Sequence, residues 1–80
     1  MTRAVRFGQE LVYAFIVTEG GQTRLRVSAD ECDRLDLFAG NQVRLAIDGG
    51  EVVAAWVVGV RREPPFVWVV VEFTTLGRGI

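Results

Sequence analysis

The side chains that could do chemistry in this chain are few and of restricted type. All nine basic residues are arginine and none is lysine. A guanidinium pairs in a planar fork with carboxylates or phosphates, so the arginines mark candidate ion-pair or phosphate-binding positions. An all-arginine complement equally fits a GC-rich genome. Histidine is absent and Cys32 is the sole cysteine. That combination excludes the usual zinc sites, Ser–His and Cys–His nucleophile pairs, and an internal disulfide. With no lysine or histidine to activate it, Cys32 is expected to be an inert, buried thiol. Asp30, Asp33 and Asp36 share a helical neighbourhood, but Asp30 and Asp33 read as surface charges complementing a helix dipole. Ser28, the only serine, reads as a helix cap. No catalytic residue, metal site or cofactor is expected, and the chain reads as not an enzyme.

The elements that position these groups follow from composition and pattern. Eighty residues at 8.9 kDa make one small domain, 1–80, too short for two cores. Hydrophobic residues are 50% of the chain, which excludes intrinsic disorder. Ten acidic residues against nine basic ones give a net charge of −1, so no global field draws the chain to nucleic acid. Valine occupies fourteen positions, and β-branched residues suit pleated, buried surfaces.

Alternation predicts a strand over Arg3 to Phe7, broken at Gly8-Gln9. A second runs from Leu11 to Thr18 and is apolar on both faces. Glu19-Gly20-Gly21-Gln22 reads as a hairpin turn, because glycine supplies the positive φ such turns need. Thr23 to Val27 returns, with Leu25 and Val27 inward and Arg24 and Arg26 outward. Ser28 and Glu31 match a capping box, S-x-x-E, heading a helix over about Ala29 to Leu35 with Cys32 and Leu35 toward the core. A loop follows through Asn41. Val43, Leu45 and Ile47 mark a fourth strand, and Asp48-Gly49-Gly50 a second hairpin signal. Glu51 to Val60 forms a fifth strand, Arg61 to Pro65 a turn, and Phe66 to Phe73 a sixth. Residues 74–80 read as a flexible tail. The order β-β-β-α-β-β-β predicts a mainly β fold, a small six-stranded β-barrel with one short helix.

Three strands are too apolar for a lone barrel, since a strand facing both core and water alternates. The outward faces are expected to expose Val53, Val57, Val67, Val69 and Val71, with one of Trp56 and Trp68. An apolar surface of that kind marks an interface, and a symmetric homodimer is the commonest way to cover it.

The run L-R-V-S-A-D-E-C-D-R-L-D-L-F-A-G-N-Q-V-R-L, Leu25 to Leu45, resembles the core of the AbrB-like (SpoVT/AbrB) swapped-hairpin domains. It is also similar to half of a double-psi barrel; both belong to the cradle-loop barrel group. Ser28 stands where that pattern has proline and Asp30 where it has glutamate. Leu35-Asp36-Leu37 stands for Leu-Gly-Leu, and Ala39-Gly40-Asn41 for Pro-Gly-Asp. The likeness covers Arg24 to Val53 and implies an interleaved homodimer. It also implies a DNA-binding regulator or antitoxin gripping DNA with strand arginines. Arg24 sits where that family has a basic residue, with Arg3, Arg6 and Arg26 extending the patch.

The first expectation of function is therefore a non-catalytic homodimeric barrel acting in protein assembly or partner binding, and the alternative is DNA binding. Phe38, Arg61, Arg62 and Phe66 are the candidate partner-binding residues, being aromatic or arginine side chains in loops and turns. No apolar run approaches the ~20 residues that span a bilayer. The opening residues lack the apolar stretch of a signal peptide, and an unpaired cysteine fits a reducing compartment. A cytoplasmic protein with no membrane partner is expected.

Overall fold

Alternating side chains build six antiparallel strands and one helix in the computed structural model, which describes residues 2–73. The strands are β1 (Thr2–Phe7), β2 (Glu10–Glu19), β3 (Gln22–Ser28), β4 (Gln42–Ile47), β5 (Val53–Glu63) and β6 (Phe66–Phe73), and the helix α1 (Ala29–Arg34) joins β3 to β4. The element order is that predicted, and the strands close a barrel in the order β1-β2-β3-β6-β5-β4. The predicted tail, 74–80, lies outside the described residues.

The turns explain much of the closure. Gly20 and Gly21 hold φ values of 59° and 82°, the left-handed backbone that a two-residue hairpin demands, and so set Glu19 opposite Gln22. Gly8-Gln9 joins β1 to β2 in two residues as well, and Pro64 and Pro65, joined by a cis peptide bond, form a third such connection, which sets Glu63 opposite Phe66. The fifth strand therefore runs through Arg61, Arg62 and Glu63, which the pattern of charges had suggested as part of the turn. The helix starts where expected. The Glu31 N–H donates to Ser28 Oγ at 3.1 Å and the Ser28 N–H donates to Glu31 Oε1 at 3.2 Å. That reciprocal cap satisfies two otherwise orphaned donors and stabilises the turn by about 1 kcal/mol. Leu35 serves as the C-cap rather than as a helical residue.

The interior is narrow and filled by short side chains. Val5, Val12, Ala14, Leu25, Val27, Leu45, Ala55, Val57, Val67, Val69 and Val71 are buried, closed off by Phe7, Cys32 and Leu37. Each fully buried leucine or valine contributes about 1.5–3 kcal/mol of transfer free energy.

This arrangement corrects the expected dimer face. Val57, Val67, Val69 and Val71 are at most 1% exposed within a single subunit. Val53 is opposite the buried Leu45, so it points the same way and is open only because it lies at the rim. The physical reason is size. When both faces of a strand are apolar, alternation alone leaves the inward face open. A six-stranded barrel has room for β-branched side chains within, and the bulky residues between them go outside. The outward apolar residues are Leu11, Tyr13, Phe15 and Val17 on β2 and Phe66, Trp68 and Val70 on β6. Trp56 and Val58 are outward on β5.

Candidate functional site

Two of these tight turns also decide which outward side chains meet. From Glu19–Gln22 the register places Val17 opposite Arg24 and Phe15 opposite Arg26. From Glu63–Phe66 it places Arg61 opposite Trp68, and between β3 and β6 it sets Arg26 opposite Trp68 and Ser28 opposite Phe66. One row thus crosses the outside of the barrel: Thr2, Phe15, Arg26, Trp68, Arg61.

Arg26 is the centre of this surface. Its guanidinium carbon lies 5.0 Å from the ring centre of Phe15, 4.7 Å from that of Phe66 and 5.8 Å from that of Trp68. Phe15 and Trp68 meet edge to face at 6.3 Å and 83°, the arrangement the ring quadrupoles favour. The positive charge therefore faces ring electrons rather than a carboxylate among the described residues. Such contacts are worth about 0.5–1 kcal/mol each at exposed positions, and they hold the rings in one orientation. Trp68 Nε1 donates to Glu63 Oε1 at 3.3 Å. Beside the stack, Val17, Val70 and Trp68 floor a groove of about 320 Å³ between Arg24 and Arg61. Tyr13, two residues from Phe15 on the same face, is 66% exposed, and Leu11 and Phe66 are also open.

The four arginines expected to grip DNA are not one patch. Arg24 and Arg26 share the outer face of β3, and Arg61 joins them from β5. Arg3 lies at a barrel end in an ion pair with Asp48 at 2.6 Å. Arg6 lies on the outside of β1, opposite Ala46 of β4. The arginine face is also interleaved with acid: Glu19 is 3.9 Å from Arg24, Glu63 is 3.6 Å from Arg61, and Glu72 accepts from Gln22 at 3.2 Å.

The four partner-binding candidates divide between two places. Arg61 and Phe66 belong to the aromatic surface. Phe38 and Arg62 line a second, smaller groove of about 180 Å³ with Cys32, Leu37 and Val60. Phe38 is 55% exposed because the chain turns sharply through Asp36, whose φ is 55°. Arg62 reaches Asp33 of the helix at 3.7 Å. Tyr13 and Phe15 were not singled out from the sequence, and Trp68 was named only as one of two tryptophans of which one would lie outward. The signal for them was the glycine pair, which fixes Phe15 across from Arg26 once the hairpin is counted outward from it.

Cys32 is buried and its thiol donates to the Leu37 carbonyl at 3.2 Å. Burial pushes its pKa above the ordinary thiol range, Arg62 nearby opposing this and Asp33 adding to it. The native thiol thus keeps its proton at a pH where the unfolded chain has begun to lose it. Stability from this group is complete below the ordinary thiol pKa and is lost as pH rises through the raised one. Two outcomes are expected. A thiol-reactive disulfide reagent at neutral pH should modify the folded chain far more slowly than the guanidinium-unfolded chain, and the unfolding midpoint should fall through the alkaline range. Equal modification rates for the two states would contradict the burial.

Among the described residues, no helix is long and apolar enough to cross a membrane. Comparison with family models, with curated proteins and with solved structures finds no match to this chain.

Proposed function

We propose that this chain is a non-catalytic binding module that assembles as a homodimer through the outer face of β2, β3 and β6. The observation that carries the reading is the aromatic stack around Arg26, open to solvent along Tyr13, Leu11 and Phe66. Aromatic and arginine side chains dominate the energetic centres of protein interfaces. A contiguous apolar surface of this kind is unusual on a lone soluble domain.

Charge supports a second copy as the first partner. The same face presents Arg24, Arg26 and Arg61 together with Glu19, Glu63 and Glu72. In a two-fold interface the surface must complement itself, and a face carrying both signs allows arginines of one copy to meet carboxylates of the other. The AbrB-like resemblance favours the same outcome. The reading places the module in a reducing cytoplasm, where Cys32 stays a thiol.

Light scattering coupled to size exclusion tests it: a dimer is expected at micromolar concentration, and a monomer there would remove the proposal. The DNA-binding alternative retains one specific support, the grouping of Arg24, Arg26 and Arg61 on one face. Its check is a titration with random-sequence duplex DNA at rising salt. Phosphate contacts would give affinity that falls steeply with ionic strength, whereas the interleaved glutamates lead us to expect little binding even at low salt.

A further inference from the structure

The two strands flanking β5 are of unequal reach. β6 accompanies it to the hairpin, pairing Glu63 with Phe66. β4 pairs with it only from Leu45–Val53 to Gln42–Trp56. Beyond that, the loop before β4 supplies one further link: the Gly40 N–H donates to the Val57 carbonyl and the Val57 N–H donates to the Asn41 carbonyl, both at 2.8 Å. Past Val57 and the bulge that separates it from Gly59, β5 has no strand on that side among the described residues.

The register identifies which backbone groups are left over. A two-residue connection makes Glu63 and Phe66 the pair that exchanges both its hydrogen bonds, and antiparallel pairs alternate. Arg61 and Gly59 therefore bond toward β6, and the N–H and C=O groups of Arg62 and Val60 point the other way. Among the described residues nothing accepts from or donates to them. The groove of about 180 Å³ lined by Leu37, Phe38, Cys32, Val60 and Arg62 involves this same stretch of β5. An unpaired row of backbone groups beside an apolar groove is what an added strand uses, the main chain giving affinity and alternate side chains filling pockets.

We propose that the free edge of β5 from Val58 to Glu63 docks an extended peptide segment of a partner protein, one carrying an apolar and a basic residue two positions apart, so that both side chains face the groove. The apolar residue packs against Leu37, Phe38 and Val60. The basic residue answers the acid at the groove, where Asp33 is already matched by Arg62 but Asp36 has no ion-pair partner among the described residues. A second copy of this chain is a poor occupant. Edge pairing between two copies would bring their Arg61-Arg62 segments together, and like charges directly opposed destabilise a strand pair. The bulge and the prolines that end the edge likewise discourage indiscriminate pairing.

This inference goes beyond the proposed dimer, because it uses the backbone of β5 and not the outer side chains of β2, β3 and β6. Its test is amide hydrogen exchange on the full chain, followed by NMR, with a synthetic peptide that carries valine and lysine in turn on one face and threonine at every other position as the probe. The Val60 and Arg62 amides should exchange freely without peptide and be protected about tenfold or more with it, as strand addition requires. The same peptide N-methylated on alternate amides should not protect them, and one with glutamate for lysine should bind more weakly. Phe38→Ala should weaken binding of the valine–lysine peptide while leaving thermal unfolding nearly unchanged. No protection of Val60 and Arg62 at millimolar peptide overturns the proposal, as does equal binding of the N-methylated form. Protection that appears without peptide and grows with protein concentration overturns it too, since the edge would then be filled by a second copy. Loss of the dimer alone, seen by light scattering with peptide protection intact, counts against the dimer face only.

Discussion

Placing a carboxylate in the aromatic face, by Phe66→Asp or Tyr13→Asp, is expected to dissociate the homodimer. Both side chains are large, apolar in body and open to solvent in one subunit, and Phe66 stacks directly on Arg26 at 4.7 Å. In a two-fold interface each substitution occurs twice. Central aromatic residues cost about 2 kcal/mol or more when truncated, and a desolvated carboxylate adds to that. The dissociation constant should therefore rise by about 100-fold or more, at roughly 1.4 kcal/mol per tenfold. Sedimentation velocity across a concentration series would read it. Phe38→Asp is the control. It changes a phenylalanine at least as open as Phe66 in the loop after α1 and should leave the association constant where it was. Dissociation by Phe38→Asp and not by Phe66→Asp would move the interface to the groove beside α1.

The larger loss of stability is expected from Leu25→Ala. Leu25 is fully buried, opposite Ile16 on one side and Val69 on the other, so its removal leaves a cavity that six hydrogen-bonded strands resist collapsing into. Deletions of this kind cost about 2–5 kcal/mol. At roughly 0.05–0.15 kcal/mol per residue, a domain of this length has only about 4–12 kcal/mol in total. Urea unfolding followed by circular dichroism should show a loss of roughly a sixth or more of the native stability. Val69→Ala and Val70→Ala form a matched pair that checks the assignment of faces. The first opens the sealed interior and the second trims a half-buried outer residue. Similar losses from both would contradict the inward placement of Val69.

That pair also marks where the sequence was legible and where it was not. The elements were readable because their punctuation is local: Gly20-Gly21, the Ser28–Glu31 capping box and Pro64-Pro65 each act through neighbours in the chain. On β3 the arginines at 24 and 26 identified the outward face, since a charge does not go into a dry barrel. On β6 no such marker exists between Phe66 and Val71, and the question becomes one of volume. Valine fits the interior and tryptophan does not, which requires knowing how tightly the barrel closes. The site was legible only in pieces for the same reason. Phe66 and Arg61 could be named as exposed, but their neighbours Phe15 and Trp68 join them through register accumulated over three strands. The length of β5 relative to β4, which leaves Val60 and Arg62 without a strand on the side away from β6 among the described residues, is a property of the closed sheet and has no local sign.

The barrel is joined from two three-stranded halves, and its two seams are unequal. β3 is laced to β6 from Thr23–Val71 through Ser28–Phe66. β1 meets β4 only from Val5–Ile47 to Phe7–Leu45, with the Asp48 N–H reaching the Ala4 carbonyl at 2.7 Å and Arg3 clasping the Asp48 side chain outside it. A cylinder breathes at its weakest stave. The short seam is therefore the one that gapes first, and its amide hydrogens should trade with solvent ahead of those along the long one. Because the clasp is a solvent-exposed ion pair, dissolved salt loosens it, so ionic strength acts as a tuning knob on how often the cylinder parts.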